Sequence, residues 1–322
     1  MSHEAPLKPM HAAAVVGSVA IDRNLISDRT LLKVGGAATY AGLTYRRHDL
    51  ATCIVCNVAL AEEAILDVLL REGIQVCNGR TAHTTRFVNR VRADGRTQWA
   101  PSLAAPIRWH QIASVAEGVD GIHLGPLHPE DIDTQAYLRL AASPKLVALD
   151  VQGLVRRVVH GRVVPGASEH LPAALQAADI VKADQAELEV ILAACGQGIG
   201  ALMDRFDIAE WIVTRGRRGG HIHVRGGGCC PYEAAPAVPE VDPTGAGDVF
   251  LAAYVVARCH QGQPVAAAGC HAARLSAEHV AGAYITPAAL EVSRRAHVDE
   301  LPAPRNGPDR TGINVDNEAN DV

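Results

Sequence analysis

The sequence predicts an α/β fold: a mostly parallel sheet with helices on both faces. Three observations point there. Short β-branched runs alternate with longer segments of helical period. Several runs are apolar at successive positions, as strands covered on both faces must be. With 322 residues, 48% of them hydrophobic, the chain can bury such a sheet in one large domain or two smaller ones.

In chain order, "AAVVGSVAI" reads as the first strand, leading straight into Asp22 with no signal-peptide layout. "ATCIVCN" is the next strand and "EEAILDVLLREG" a helix. "HTTRFVNRVRADGRTQWAPS" breaks the alternation, because polar and apolar residues alternate around Asp94-Gly95. That is a hairpin signal over about 83–100, either a small β lid over the site or a peripheral hairpin. "GIHLG", "KLVALDV", "DIVKA" and "EWIVTR" are strands; "DTQAYLRLAA", "QAELEVILAAC" and "AGDVFLAAYVVARCHQG" are helices. The domain is expected over 12–298, and 299–322, polar with Pro and Gly, reads as a disordered tail. No internal repeat is visible. In such sheets ligands bind outside the C-terminal ends of the strands, so functional residues should follow strands.

Composition excludes several classes. Aromatics are 4% and the formal net charge is −5, so neither stacking surfaces nor a basic face argues for nucleic acid. No apolar run of membrane-spanning length escapes charge, so no membrane span is expected. Cys53 and Cys56 form C-x-x-C inside a strand with no second pair at zinc spacing. Free thiols in a reducing cytosol fit the eight scattered cysteines, and the protein is expected to be cytoplasmic. His123 and His128, in "GIHLGPLHPED", show no ligand spacing; His123 reads as a core histidine or as a cleft-lining one.

The densest chemistry lies in "VPEVDPTGAGDVFLAAYVVA". Gly245 and Gly247 permit a tight turn into the helix through Phe250 and Leu251. The unpaired N–H groups of that helix start, around Gly245, Ala246 and Gly247, form an anion site. Asp248 stands in its first turn. A carboxylate beside an anion hole suits a general base that deprotonates a hydroxyl where a phosphoryl group is transferred. An ordinary glycine loop with an acidic first turn would look the same. No P-loop and no complete dinucleotide fingerprint after the first strand compete with it.

"VDPTGAGDVF" resembles the C-terminal signature of the ribokinase-like (PfkB) family of carbohydrate and nucleoside kinases. Further matches follow in the family's order. "VVGSVAID" is similar to its opening strand, implying that Asp22 binds substrate hydroxyls; "KVGGAATYAG" resembles its double glycine, Gly35 and Gly36. "VKADQAELE" resembles its N-x-x-E segment, implying that Glu187 organises Mg²⁺ through water, with Lys182 and Asp184 on the nucleotide side. "WIVTRGRRGG" resembles the nucleotide turn, giving Thr214, Gly216 and Gly219; "AGCHAARLSAEHVAGA" resembles the helix at the adenine pocket, bringing in His271. The resemblance implies a ribokinase-like doubly wound fold with a small β lid, ATP and Mg²⁺, a monovalent cation near the loop in parts of the family, and a monomer or homodimer.

Two positions depart from the pattern. Asp184 replaces the N-x-x-E asparagine, which adds negative charge near ATP phosphates, and Tyr40 stands where ribokinase-type members carry a sugar-contacting asparagine. "LVALDVQGLVRRV" together with "GGAATY" resembles the branch containing myo-inositol kinases, and places Gln152 and Arg156 after a strand. Both can donate to ring oxygens while Asp22 accepts from hydroxyls. Capping by Gln152 and a surface ion pair for Arg156 would also fit. The expectation is an ATP-dependent kinase for a small polyol, best a cyclitol. A nucleoside kinase, a pentose or hexose kinase, and a non-catalytic ligand-binding relative stay open.

Overall fold

The computed structural model describes residues 7–26, 29–92, 95–236 and 241–292. The chain begins β1 (Ala12–Val16), β2 (Ala20–Ile26), β3 (Arg29–Gly35), β4 (Ala51–Asn57) and β5 (Gln75–Gly79). It continues β6 (Arg86–Arg92), β7 (Gly95–Ser102), β8 (Gly121–Leu124), β9 (Leu146–Asp150), β10 (Arg156–Val159) and β11 (Arg162–Pro165). It closes with β12 (Ile180–Asp184), β13 (Glu210–Thr214), β14 (Gly220–Val224) and β15 (Gly228–Tyr232).

The large sheet runs β15-β14-β13-β12-β9-β8-β1-β4-β5. Its seven strands from β13 to β5 are parallel, and β14 and β15 add an antiparallel edge. Both faces are covered. Val15 joins a core with Ile54, Val249 and Leu251, while Val16 joins another with Ile122, Leu149 and Trp211. That double burial explains why strands such as Leu146–Asp150 are buried at every position. The strand order reverses between β1 and β8, the kind of crevice where α/β sheets hold ligands.

A second sheet, β10-β11-β7-β6-β2-β3, packs beside this crevice. The expected hairpin is present as β6 and β7, but Asp94 in its turn lies outside the described residues, as does the expected tail 299–322. Two expectations need correction. The run "AAVVGSVAI" is two strands in two sheets, so Asp22 sits inside β2 rather than after β1. Gly17, at the break, meets the Gly125 backbone so closely that a Cβ would lie 2.4 Å from its carbonyl oxygen. "EEAILDVLLREG" is mainly a 3₁₀ turn over Leu60–Leu66 with one short α turn, Asp67–Leu70. Among the described residues no single helix is long and apolar enough to cross a membrane, and all eight cysteines are free thiols.

Candidate active site

The loop from Asp242 to Gly245 enters the helix Ala246–Val255, whose residues Val249–Val255 are all buried. Gly245 caps it at φ +85, with the Tyr40 ring beneath: a Cβ there would lie 2.5 Å from ring atoms. Tyr40 therefore braces the loop. The loop is tied elsewhere too. Thr244 N donates to Asp242 Oδ1 (2.9 Å), His279 Nε2 donates to the Thr244 carbonyl (2.8 Å), and Ser276 Oγ donates to the Ala246 carbonyl (3.0 Å). The first intrahelical bond runs from Val249 N to Gly245 O. Of the N–H groups before it, Ala246 N turns back to the Pro243 carbonyl (3.3 Å). Those of Gly245, Gly247 and Asp248 make no backbone hydrogen bond, a helix start that can receive an anion.

A charged cluster faces this turn. Lys182 Nζ donates to Asp150 Oδ2 at 2.9 Å, and both residues are buried. The same ammonium lies 2.7 Å from where a Cβ on Gly247 would stand, so it faces the start of the helix. Burial alone would lower the Lys182 pKa, but Asp150, Glu187 and Asp248 hold it above the ordinary lysine value and keep it charged. Asp248 behaves oppositely. Burial first and the Asp150 charge second push it up, Lys182 and Arg156 pull it down, and it comes to about 7. A buried carboxyl that titrates near neutrality is matched to proton abstraction. If Asp248 is that base, it works only when deprotonated, and kcat/KM should fall about tenfold per pH unit below about 7. A rate profile that stays flat to pH 5 would contradict this.

Beside Asp248 lies a polar cavity of about 140 Å³, lined by Asp22, Gln98, Gln152, Arg156, Lys182 and Asp248 among others. The Asp22 carboxylate folds over Gly35, where a Cβ would lie 2.1 Å from Oδ2. A row of amides crosses the second sheet beside it. Asn89 Nδ2 donates to Asn24 Oδ1 (2.8 Å), Gln98 Nε2 to Asn89 Oδ1 (2.8 Å), and Arg156 Nη1 to Gln98 Oε1 (3.4 Å). Across the loop opens a mainly apolar cavity of about 290 Å³, with Thr214, Gly216, Gly219, Tyr232, Phe250 and Ala277 in its wall. Pro243, Ala246 and Gly247 border both cavities. At the start of the helix Gln185–Cys195, Asp184 and Glu187 form a reciprocal capping box with both bonds at 2.7 Å. Each spends one oxygen there and keeps one, a donor set that fits a hydrated divalent cation.

Residues 148–289 match the family described as pfkB family carbohydrate kinase. The protein carries a pfkB family carbohydrate kinase domain. As such it is a phosphotransferase. This kinase is 27% identical over 272 residues to the cytidine kinase of Thermococcus kodakarensis, covering 78% of the chain and 89% of that enzyme. Its fold matches a pyrophosphate-dependent kinase in the ribokinase family at TM-score 0.74 and 20% identity, over 83% of this chain and 95% of that one. The ribokinase of Thermotoga maritima matches at TM-score 0.67 and 18% identity, over 87% and 95%. The Burkholderia thailandensis nucleoside kinase in complex with inosine matches at 0.70 and 18%, over 86% and 95%.

The kinase brings most of the sequence-selected residues together. Asp22, Gly36, Gln152, Arg156, Lys182 and the 245–248 turn line the polar cavity, with Gly35 beneath Asp22. Thr214, Gly216 and Gly219 line the apolar one. His271 reaches neither lining; its ring sits against His48, centroids 5.6 Å apart, while Ala273, Ser276 and Ala277 of the same helix face the cavity. His123 is buried, with Nδ1 2.9 Å from Tyr45 Oη, and burial pushes it down to about 4, so it stays neutral in the core. Sequence reading missed Gln98 and Asp150. Asp150 ends a strand, which could have flagged it; Gln98 sits mid-hairpin with no local signal.

Proposed function

We propose that this kinase transfers the γ-phosphoryl group of ATP to one hydroxyl of a small uncharged polyol, best a cyclitol such as myo-inositol. The observation that carries the reading is the small polar cavity containing Asp248, set against the anion-binding turn. Asp248 removes the hydroxyl proton, the oxygen attacks the γ-phosphorus, and ADP leaves. The N–H groups of Gly245, Gly247 and Asp248, with the Lys182 ammonium, stabilise charge on the moving phosphoryl group. Mg²⁺, when bound, neutralises the donor phosphates, and Asp184 and Glu187 would hold it through water. Asp22 accepts from substrate hydroxyls, while Gln98, Gln152 and Arg156 supply amide and guanidinium donors. The apolar cavity across the loop suits a nucleobase, and the eight free thiols suit the cytoplasm.

A second donor reading, pyrophosphate, draws support from a fold relative solved with a pyrophosphate analog and myo-inositol at TM-score 0.72. A second acceptor reading, a nucleoside, draws support from the cytidine kinase relative. One experiment tests all of these: ATP or pyrophosphate as donor against a panel of polyols, sugars and nucleosides. A site built to pair hydroxyls can discriminate by up to about 10⁴-fold, because a missing hydroxyl strands its polar groups. ATP with myo-inositol should therefore exceed ATP with ribose or cytidine in kcat/KM. Gln152→Ala and Arg156→Ala should each raise the acceptor KM about tenfold or more and leave the ATP KM nearly unchanged. Phosphorylation of cytidine and not of inositol, with both variants indifferent, would replace the cyclitol reading by the nucleoside one.

A further inference from the structure

Lys33 is used by neither cavity, yet it is buried and charged. It lies opposite Asp22 in the β2–β3 pairing, with its side chain 7% exposed, and its ammonium donates to Asp242 Oδ2. Burial pushes Asp242 up, but Lys33 and the Thr244 contacts outweigh it and hold the carboxyl below its ordinary value. The other oxygen, Oδ1, accepts from Thr244 N at 2.9 Å. The Thr244 carbonyl is taken in turn by His279 Nε2 at 2.8 Å. His279 is itself buried, and burial lowers its pKa, so it serves as a neutral donor.

These bonds bear on the monovalent cation that the family resemblance placed near this loop. Such a cation takes carboxylate and carbonyl oxygens as ligands. The two oxygen groups at the base of the loop are already bound by an ammonium and an imidazole N–H. A cation entering there would meet the Lys33 charge at contact distance, so the residues present do not fit it. We propose that Lys33 is a positioning residue that supplies, as a built-in ammonium acting through Asp242, the positive charge fixing the phosphate loop, and that this kinase therefore runs without a monovalent cation. The inference rests on the reading of Asp242 to Asp248 as the phosphate loop.

The test titrates KCl and NH₄Cl against choline chloride at matched ionic strength. Wild-type turnover should vary by less than about twofold, since the site is already neutralised. Lys33→Met keeps the stem and removes the charge, leaving a half-buried carboxylate uncompensated. It should lose about 10²-fold in kcat/KM in choline and regain at least about tenfold with K⁺ or NH₄⁺. Lys33→Arg should stay indifferent to K⁺. Melting gives a readout independent of turnover: K⁺ should raise the Tm of Lys33→Met over choline and leave the wild type unmoved. Wild-type activity that rises more than about fivefold with K⁺, or a Lys33→Met variant equal to wild type in choline, would overturn the proposal. If Lys33→Met does not fold, the wild-type titration still decides. A wild type whose Tm shifts with neither ATP nor pyrophosphate in any cation would instead overturn the phosphate-loop reading, and this inference with it.

Discussion

Asp248→Asn is expected to cut kcat by roughly 10²–10⁴-fold while ATP still binds and the protein melts at a higher temperature. The amide is isosteric, so the buried helix behind it, Val249 to Val255, keeps its packing. What disappears is the proton acceptor. The gain in stability follows from the sign of the shift. Burial and the Asp150 charge raise the folded pKa from 3.8 to about 7, so the folded state disfavours the carboxylate that the unfolded chain forms freely. Stability is therefore lost as pH climbs between those values, and the penalty is complete above about 7. At pH 8 the wild type bears it and the variant does not. Strain retained at a working site and relieved by an inactivating change is a familiar trade. Turnover, ATP calorimetry and melting at pH 8 check the three parts. Near-wild-type turnover would remove Asp248 from the role of base, and an unchanged or lower Tm would remove the electrostatic cause.

Six strands of the large sheet, β1, β4, β8, β9, β12 and β13, were legible because double burial makes them apolar at successive positions, as in Leu146–Asp150 and Ile180–Asp184, while β5, β14 and β15, only partly buried, carry no such run. The 245–248 turn was legible because its requirements are local: a positive φ, a helix start and a carboxylate in the first turn. The second sheet was not, because three remote hairpins assemble it and only one was read as such. β10 and β11 join through His160-Gly161, both at positive φ, a turn signal that passed unnoticed beside Arg156. The break after Val16 was hidden because the apolar run continues through it. What turns the chain is Asp131, whose Oδ2 accepts from Ser18 N at 3.2 Å from 113 residues away. Glu62 failed as a helix residue for a similar reason: it is buried in an ion pair with Arg86 of the second sheet. The amide row Asn24–Asn89–Gln98–Arg156 and the Lys33–Asp242 pair likewise join distant segments, which no local period encodes.

Gly247→Val should lower kcat/KM by about 10²–10³-fold and cost the fold much less, the pattern expected when a transition-state donor site is blocked. Gly247 is not among the glycines at positive φ, so its helical backbone accepts a side chain. The damage comes from what the side chain meets. A Cβ at this position would lie 2.7 Å from Lys182 Nζ and 3.4 Å from Cε. The lysine is buried and bonded to Asp150, with Glu187 and Asp248 also close enough to raise its pKa. The ammonium is the far end of a flexible side chain, so it can swing aside toward Asp150 at little cost to the fold, but it leaves the start of the helix, and the branched methyls of valine crowd the Gly247 and Asp248 N–H groups. Both supports for charge on the phosphoryl group weaken together. Gly247→Ala, with one carbon, should fall between wild type and valine in kcat/KM. Steady-state kinetics set beside melting curves decide the matter: kinetics left intact while only the Tm falls would mean that this turn packs the helix and does not hold the phosphoryl group.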